Sequence, residues 1–173
     1  MNLQNIGCNY LEASARKRLE GILDPGSFRE FCPPTEKRIS PHLHYFDIPD
    51  AFDDGVVTGE GLLDGKTVAV IAQEGRFMGG AIGEVHSSKI VGLLRRCLTK
   101  KPDAVLFLFD SGGVRLQEAN AGELGVAEII RAILDVRAAA GIGVFGLVGG
   151  SCGAYGGAGI ITGCCDALAV SEE

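Results

Sequence analysis

The chain has 173 residues, 46% of them hydrophobic, which suits one domain with a core of its own. Glycine is in excess at 26 residues, about twice ordinary usage, but no Gly-X-Y repeat or proline-rich background goes with it, so collagen and low-complexity linkers are excluded. A net charge of −6 gives no basic footprint, which argues against nucleic acid and against an anionic membrane surface as partners.

Residues 1–50 read differently from the rest. Tyr10, Leu11, Ala15, Leu19, Ile22 and Leu23 recur at helical spacing, Asn9 with Glu12 makes a capping box, and Asp24-Pro25-Gly26 ends the helix. This predicts a docking helix. The run from Phe31 to Asp50 holds four of the six prolines and reads as an extended connector. The N-terminus lacks the apolar stretch of a signal peptide. The cysteines (Cys8, Cys32, Cys97, Cys152, Cys164 and Cys165) form no C-x-x-C pair and lie far from most of the histidines. The expectation is a cytoplasmic, reduced chain without a metal site, its thiols serving mostly as small core fillers.

Residues 51–173 read as the core. Strands over Val56–Leu63 and Lys66–Glu74 flank Asp64-Gly65, a strong hairpin signal. Ile90, Leu93, Leu94, Cys97 and Leu98 mark one face of a helix ending near Lys100-Lys101-Pro102. The wholly apolar Ala104–Phe109 suits a strand covered on both faces. Val126, Ile129, Ile130, Ile133 and Leu134 then define a helix closed by Gly141. Gly143–Val148 is the next strand, followed by a small-residue helix over residues 149–163 and a last strand, Asp166–Ser171. Helices layered on a parallel sheet make the chain α/β.

Two Gly-Gly turns follow strands, where open α/β sheets bind ligands. In Asp110-Ser111-Gly112-Gly113-Val114-Arg115 the missing side chains let backbone N–H groups approach a ligand oxygen; a plain strand-to-helix turn accounts for the same residues. Gly149-Gly150-Ser151-Cys152-Gly153 matches G-x-S-x-G, but no histidine lies beyond His86, so a hydrolase triad fails in this chain order. The uncharged run from Gly141 to Cys165 has the length of a membrane span, yet its glycine content and its strand-turn-helix pattern argue against one. Gly79, Gly80 and Gly83, with Lys89 as counter-charge, read either as a phosphate seat or as a solvated helix start. Arg115 either touches a ligand or pairs with Glu118.

These motifs, in this order, resemble the carboxyltransferase branch of the crotonase-like superfamily. The segments Ala15–Glu30, Asp54–Lys66 and Arg76–Ile90 are most similar to the β subunit of biotin-independent malonate decarboxylase. The resemblance runs from about residue 10 to the end and implies a spiral of ββα units. It implies decarboxylation of a malonyl thioester to the acetyl thioester and CO2 through an enolate. The substrate arm would be a CoA-like group of phosphoribosyl-dephospho-CoA type on an acyl carrier protein, and the partner a homologous γ subunit with the site at the shared interface. Carried onto this chain, Gly112, Gly113 and Val114 form one oxyanion hole, Gly149, Gly150 and Ser151 the matching turn, and Gly79, Gly80, Gly83, Lys89 and Arg115 hold the arm. The proton for the acetyl carbanion comes from a serine, Tyr155, His86 or a partner residue. The resemblance also implies further strands and helices beyond Glu173, hence a fragment or truncated product with bare sheet edges. Two alternatives stand beside it: a carboxyltransferase subunit of a biotin-dependent acyl-CoA carboxylase, and a non-catalytic assembly subunit.

Overall fold

Strands β1 (Arg29–Phe31), β2 (Val56–Leu63), β3 (Lys66–Gln73), β4 (Ala104–Phe109), β5 (Gly143–Val148) and β6 (Ala167–Val170) form one six-stranded sheet in chain order. The computed structural model describes residues 9–171, so Cys8 lies outside the described residues. The hairpin turns at Asp64-Gly65, and β1 adds to it, so β1, β2 and β3 run antiparallel. From β3 to β6 the strands are parallel, with Phe107 level with Ile71 on one side and Gly146 on the other.

Parallel neighbours need crossovers, and each crossover carries a helix. These are α2 (Glu84–Lys100), α3 (Asn120–Ala140) and α4 (Gly156–Thr162). Residues alternate between the two faces of a strand, so Ala69, Ile71, Val105, Phe107, Phe109 and Val144 meet Ile90, Leu94, Ile129 and Ile133 of α2 and α3 on one side. The other face, with Val57, Val68, Val70, Ala72 and Leu108, receives Ala15, Leu19 and Ile22 of α1 (Ala15–Ile22). Fully burying a leucine such as Leu19 contributes about 1.5–3 kcal/mol, which holds the lead-in helix against the sheet. Beyond β4 and β5 the chain makes one more parallel bridge each time, Ile82 to Val114 and Ser111 to Ala154. Strand, bridge and helix thus repeat, as the expected ββα spiral requires.

Local chemistry accounts for the departures from expectation. Helix α1 starts at Ala15 rather than Tyr10, because Ser14 is its N-cap and accepts the Lys17 N–H; the Asn9 carboxamide accepts the Glu12 N–H at 2.9 Å and caps a separate turn. The proline-rich connector follows directly on β1, sharing only Phe31 with it, and contains two short 3-10 turns, Pro34–Glu36 and Leu43–Phe46. The glycine run after β5 is a turn as far as Tyr155, with Gly150 at φ +94° and Gly153 at φ +63°, so α4 is short. The stretch from residue 141 to 165 is therefore divided, and no described helix is long and apolar enough to cross a membrane. Strand β6 is exposed along its length, and Phe145, Leu168 and Val170 are uncovered beside it.

Candidate active site

The carboxyl ends of β3, β4 and β5 meet around Asp110, whose side chain is almost fully buried. Its carboxylate accepts the N–H of Gly75 at 3.2 Å and of Cys152 at 2.9 Å, and pairs with the Arg18 guanidinium at 2.5 Å. Its own N–H donates to Gln73 Oε1 at 3.3 Å. One carboxylate thus ties three strand-end loops to α1. Arg18 also donates to the carbonyls of Tyr10 and Gln73. Neither residue was singled out as functional in the sequence, although an aspartate directly after a buried apolar strand is itself a signal, since a buried charge demands a partner.

The turn at 110–115 leaves fewer donors than expected. Gly112 donates its N–H to the Gly79 carbonyl at 2.8 Å, and Gly113 donates to Ser111 Oγ at 3.2 Å. Those two amides are therefore spent, which corrects the expectation that all three residues line an oxyanion hole. Among the described residues nothing accepts the Val114 N–H. Gly113 stands at φ +124°, and a Cβ on it would come within 3.6 Å of the Gly156 Cα. The bare backbone of Gly113 therefore packs on the first residues of α4, whose leading N–H groups have no intrahelical acceptor. Among the described residues nothing accepts the N–H groups of Gly156 and Gly157 either, and these lie beside Gly113 and Val114.

The second Gly-Gly turn does a different job. Gly149 gives its N–H to Phe109 O, and a Cβ at Gly150, which has φ +94°, would overlap the Asp110 carboxyl and the Arg18 guanidinium. This turn packs on the ion pair and spends the Gly149 amide, while among the described residues nothing accepts the N–H groups of Gly150 and Ser151, which line an open cleft. Ser151 is exposed, and its Oγ reaches only the Cys152 thiol at 3.8 Å. It borders a cleft of about 650 Å³ with Leu11, Lys17, Arg18 and Arg76. Ser111 is buried and bonded within its own turn. Neither serine has a histidine to activate it.

The segment from Gly79 to Lys89 is a buttress. A Cβ on Gly80 would overlap the Asp110 carbonyl, and one on Gly83 would overlap Arg115 and Glu118. Two of the leading N–H groups of α2 are taken by carboxylates of the chain itself, Glu84 by Glu118 Oε2 at 2.5 Å and His86 by Asp54 Oδ2 at 2.8 Å, so an arriving phosphate would meet negative charge at this helix start. Lys89 Nζ donates inward to the carbonyls of Asp53 and Val56, and burial lowers its pKa. Arg115 is fully buried between Asp54 and Glu118, at 2.9 and 2.8 Å. These positions correct the expectation that Lys89 and Arg115 hold a substrate arm. Gly79 remains only half-buried, with open space where a Cβ would stand. Burial pushes the Asp54 carboxyl above its ordinary pKa against the opposing pull of Arg115.

His86 is completely buried, with Gln73 Nε2 at 3.3 Å and the Asp54 carbonyl at 3.1 Å on its two ring nitrogens. It is not a surface residue, and both ring nitrogens face groups of the chain itself. Among the described residues no cluster of three His, Cys, Asp or Glu side chains is placed to hold a metal ion. What the rim offers chemically is backbone donors on a rigid frame, an arrangement suited to stabilising negative charge on an oxygen.

The carboxyl transferase domain family matches residues 12–171. Malonyl-S-ACP:biotin-protein carboxyltransferase of Malonomonas rubra is 40% identical over 95% of this chain and 55% of its own length. A Pseudomonas malonate decarboxylase hetero-tetramer solved with malonate contains a chain that superposes with a TM-score of 0.89 at 39% identity, over 98% of this chain and 62% of that one. The transcarboxylase 12S structure follows at a TM-score of 0.79 and 30% identity, over 91% of this chain and 29% of that one. The chain therefore spans 55% of the Malonomonas rubra relative, 62% of the Pseudomonas chain and 29% of the transcarboxylase chain. With its ββα units, its strand-end turns and this similarity, the chain belongs to the carboxyl transferase domain family and has the crotonase-like fold of malonate decarboxylase and transcarboxylase subunits.

Proposed function

We propose that the chain is the β-type subunit of a malonate decarboxylase, cleaving a malonyl thioester on a cytoplasmic acyl carrier protein to the acetyl thioester and CO2. The observation that carries this is the Val114 N–H, which no described atom accepts, set against the start of α4 on a turn with no activated nucleophile. When the carboxylate leaves, its bonding electrons pass to the α-carbon and delocalise onto the thioester oxygen. That enolate oxygen needs donors fixed in advance rather than a side chain that attacks. The Val114 amide and the Gly156–Gly157 amides supply them. The CoA-like arm, of phosphoribosyl-dephospho-CoA type, reaches the turn over Gly79 and Gly112, where side chains are missing. Leu116, Leu124, Tyr155 and Ile160 are exposed on the segments around the turn, an apolar rim that suits a homologous γ subunit. The hetero-tetrameric state of the Pseudomonas relative supports such a partner.

The test is reconstitution with a γ subunit and a malonyl-carrier protein, scoring CO2 release. Val114→Pro deletes the free N–H and should slow turnover about 10²–10³-fold, the usual effect of losing one oxyanion donor. An unchanged rate in a folded variant would sink the assignment. A second reading has its own support in the Malonomonas rubra relative, whose name states transfer to a biotin-protein. Both readings share the enolate step and part at the fate of the carboxyl group. Carboxyl-labelled malonyl thioester with a biotinylated acceptor separates them, label appearing as free CO2 in one case and as carboxybiotin in the other.

A further inference from the structure

We infer that His86, held as the neutral tautomer with its proton on Nδ1, is a positioning residue that sets both ends of the 110–115 turn. The tautomer follows from the acceptors around it. Gln73 Oε1 accepts the Asp110 N–H, so the Gln73 amide nitrogen is the group 3.3 Å from His86 Nε2, and an amide nitrogen can only donate. Nε2 must present a lone pair. Nδ1 lies 3.1 Å from the Asp54 carbonyl, which can only accept, so Nδ1 carries the proton.

Through Gln73 the ring holds Asp110, where the turn begins. Through Asp54 it holds Arg115, where the turn ends: the His86 N–H donates to Asp54 Oδ2 at 2.8 Å, and both Asp54 oxygens accept from Arg115 Nη1. Val114 sits between the two anchors. A second proton on the ring would set N–H against N–H at Gln73. Burial of the ring disfavours it most, and the cationic Arg115 and Lys89 add to this, with the hydrogen bond to the Asp54 carbonyl opposing them. The imidazole pKa therefore lies well below its ordinary value.

Long-range ¹H–¹⁵N NMR of the full chain between about pH 5 and 8, where ordinary histidines titrate, reads the ring directly. His86 should keep the Nδ1–H pattern throughout. Titration near about 6.5, or a proton on Nε2, would overturn the inference. Gln73→Glu replaces the facing donor with an acceptor and should raise the His86 pKa by about one unit or more; no movement would also overturn it. The kinetic arm rests on the proposed role of Val114. In the reconstituted complex, folded His86→Leu should lose about 10²-fold in kcat, the scale of a 1 Å misplacement, at unchanged KM. An unchanged kcat would leave His86 without a positioning role. Failure of the Val114 assignment would appear separately, as normal turnover in Val114→Pro, and would not touch the NMR result.

Discussion

The two Gly-Gly turns are near twins as sequences, each following a buried parallel strand, yet they face opposite demands. At 110–115 the glycines let backbone approach backbone, and the chain emerges with the Val114 N–H unclaimed. At 149–153 the glycine at 150 lets backbone approach a buried ion pair, and Cys152 gives its N–H to the Asp110 carboxylate. Both turns leave backbone donors unclaimed, and only the second is also tied to the buried ion pair. A missing Cβ makes close approach possible, but what does the approaching is decided by the neighbouring strand.

If that difference is right, damage at the ion pair should show in stability and loss of a free donor in rate. The largest effect belongs to Asp110→Ala, which leaves Arg18 buried and uncompensated; unfolding by urea should register a loss of about 3–5 kcal/mol. Arg18→Met strands the carboxylate instead and should cost a similar amount. Gly150→Ala comes next. Its Cβ meets the ion pair at a left-handed φ, and overpacking of this kind costs about 1–3 kcal/mol. Gly113→Ala is the matched control at the other turn: its Cβ would find Tyr155 O at 3.4 Å, ordinary contact, so only backbone strain of about 1–2 kcal/mol opposes it. If Gly113→Ala destabilised the chain more than Gly150→Ala, the comparison would be reversed.

Acid should expose the frame more gently. His86 has a lowered folded pKa, so the unfolded chain binds the proton more readily than the native one. The stability held by the neutral ring is complete above the unfolded value of about 6.5 and is lost as pH falls below it. Thermal melts should show this acid sensitivity, and it should vanish in His86→Leu. The smallest effect belongs to Ser151→Ala, whose hydroxyl touches only a neighbouring thiol; stability should change by less than about 0.5 kcal/mol, and a labelled serine-directed fluorophosphonate should leave Ser151 unmodified.

The elements were readable because their signals are local. Ala104–Phe109 announces a strand covered on both faces, the Ile90 to Leu98 stripe a helix, and Asp64-Gly65 a hairpin, and all three appear in the fold. The order of the glycine motifs carried the family as well. At Arg115 the local alternative, a pair with Glu118, is present, but neither its second partner nor the partners of Lys89 could be read locally. In the structure the two cations meet carbonyls and carboxylates from residues 53–56, more than thirty positions upstream of Lys89 and about sixty of Arg115.

The sequence by itself determined the hairpin, helices α2 and α3 and strands β4 and β5, and that two turns would bare backbone at strand ends, because propensity, periodicity and missing side chains act within a few residues. Which bared amide stays free was decided by tertiary structure. Arg18 meets Asp110 across 92 positions, His86 meets Asp54 across 32, and Gly79 takes the N–H of Gly112. A hydrogen-bond donor is available only when no neighbour in space claims it, and the neighbours exist only once the sheet has brought its strand ends together.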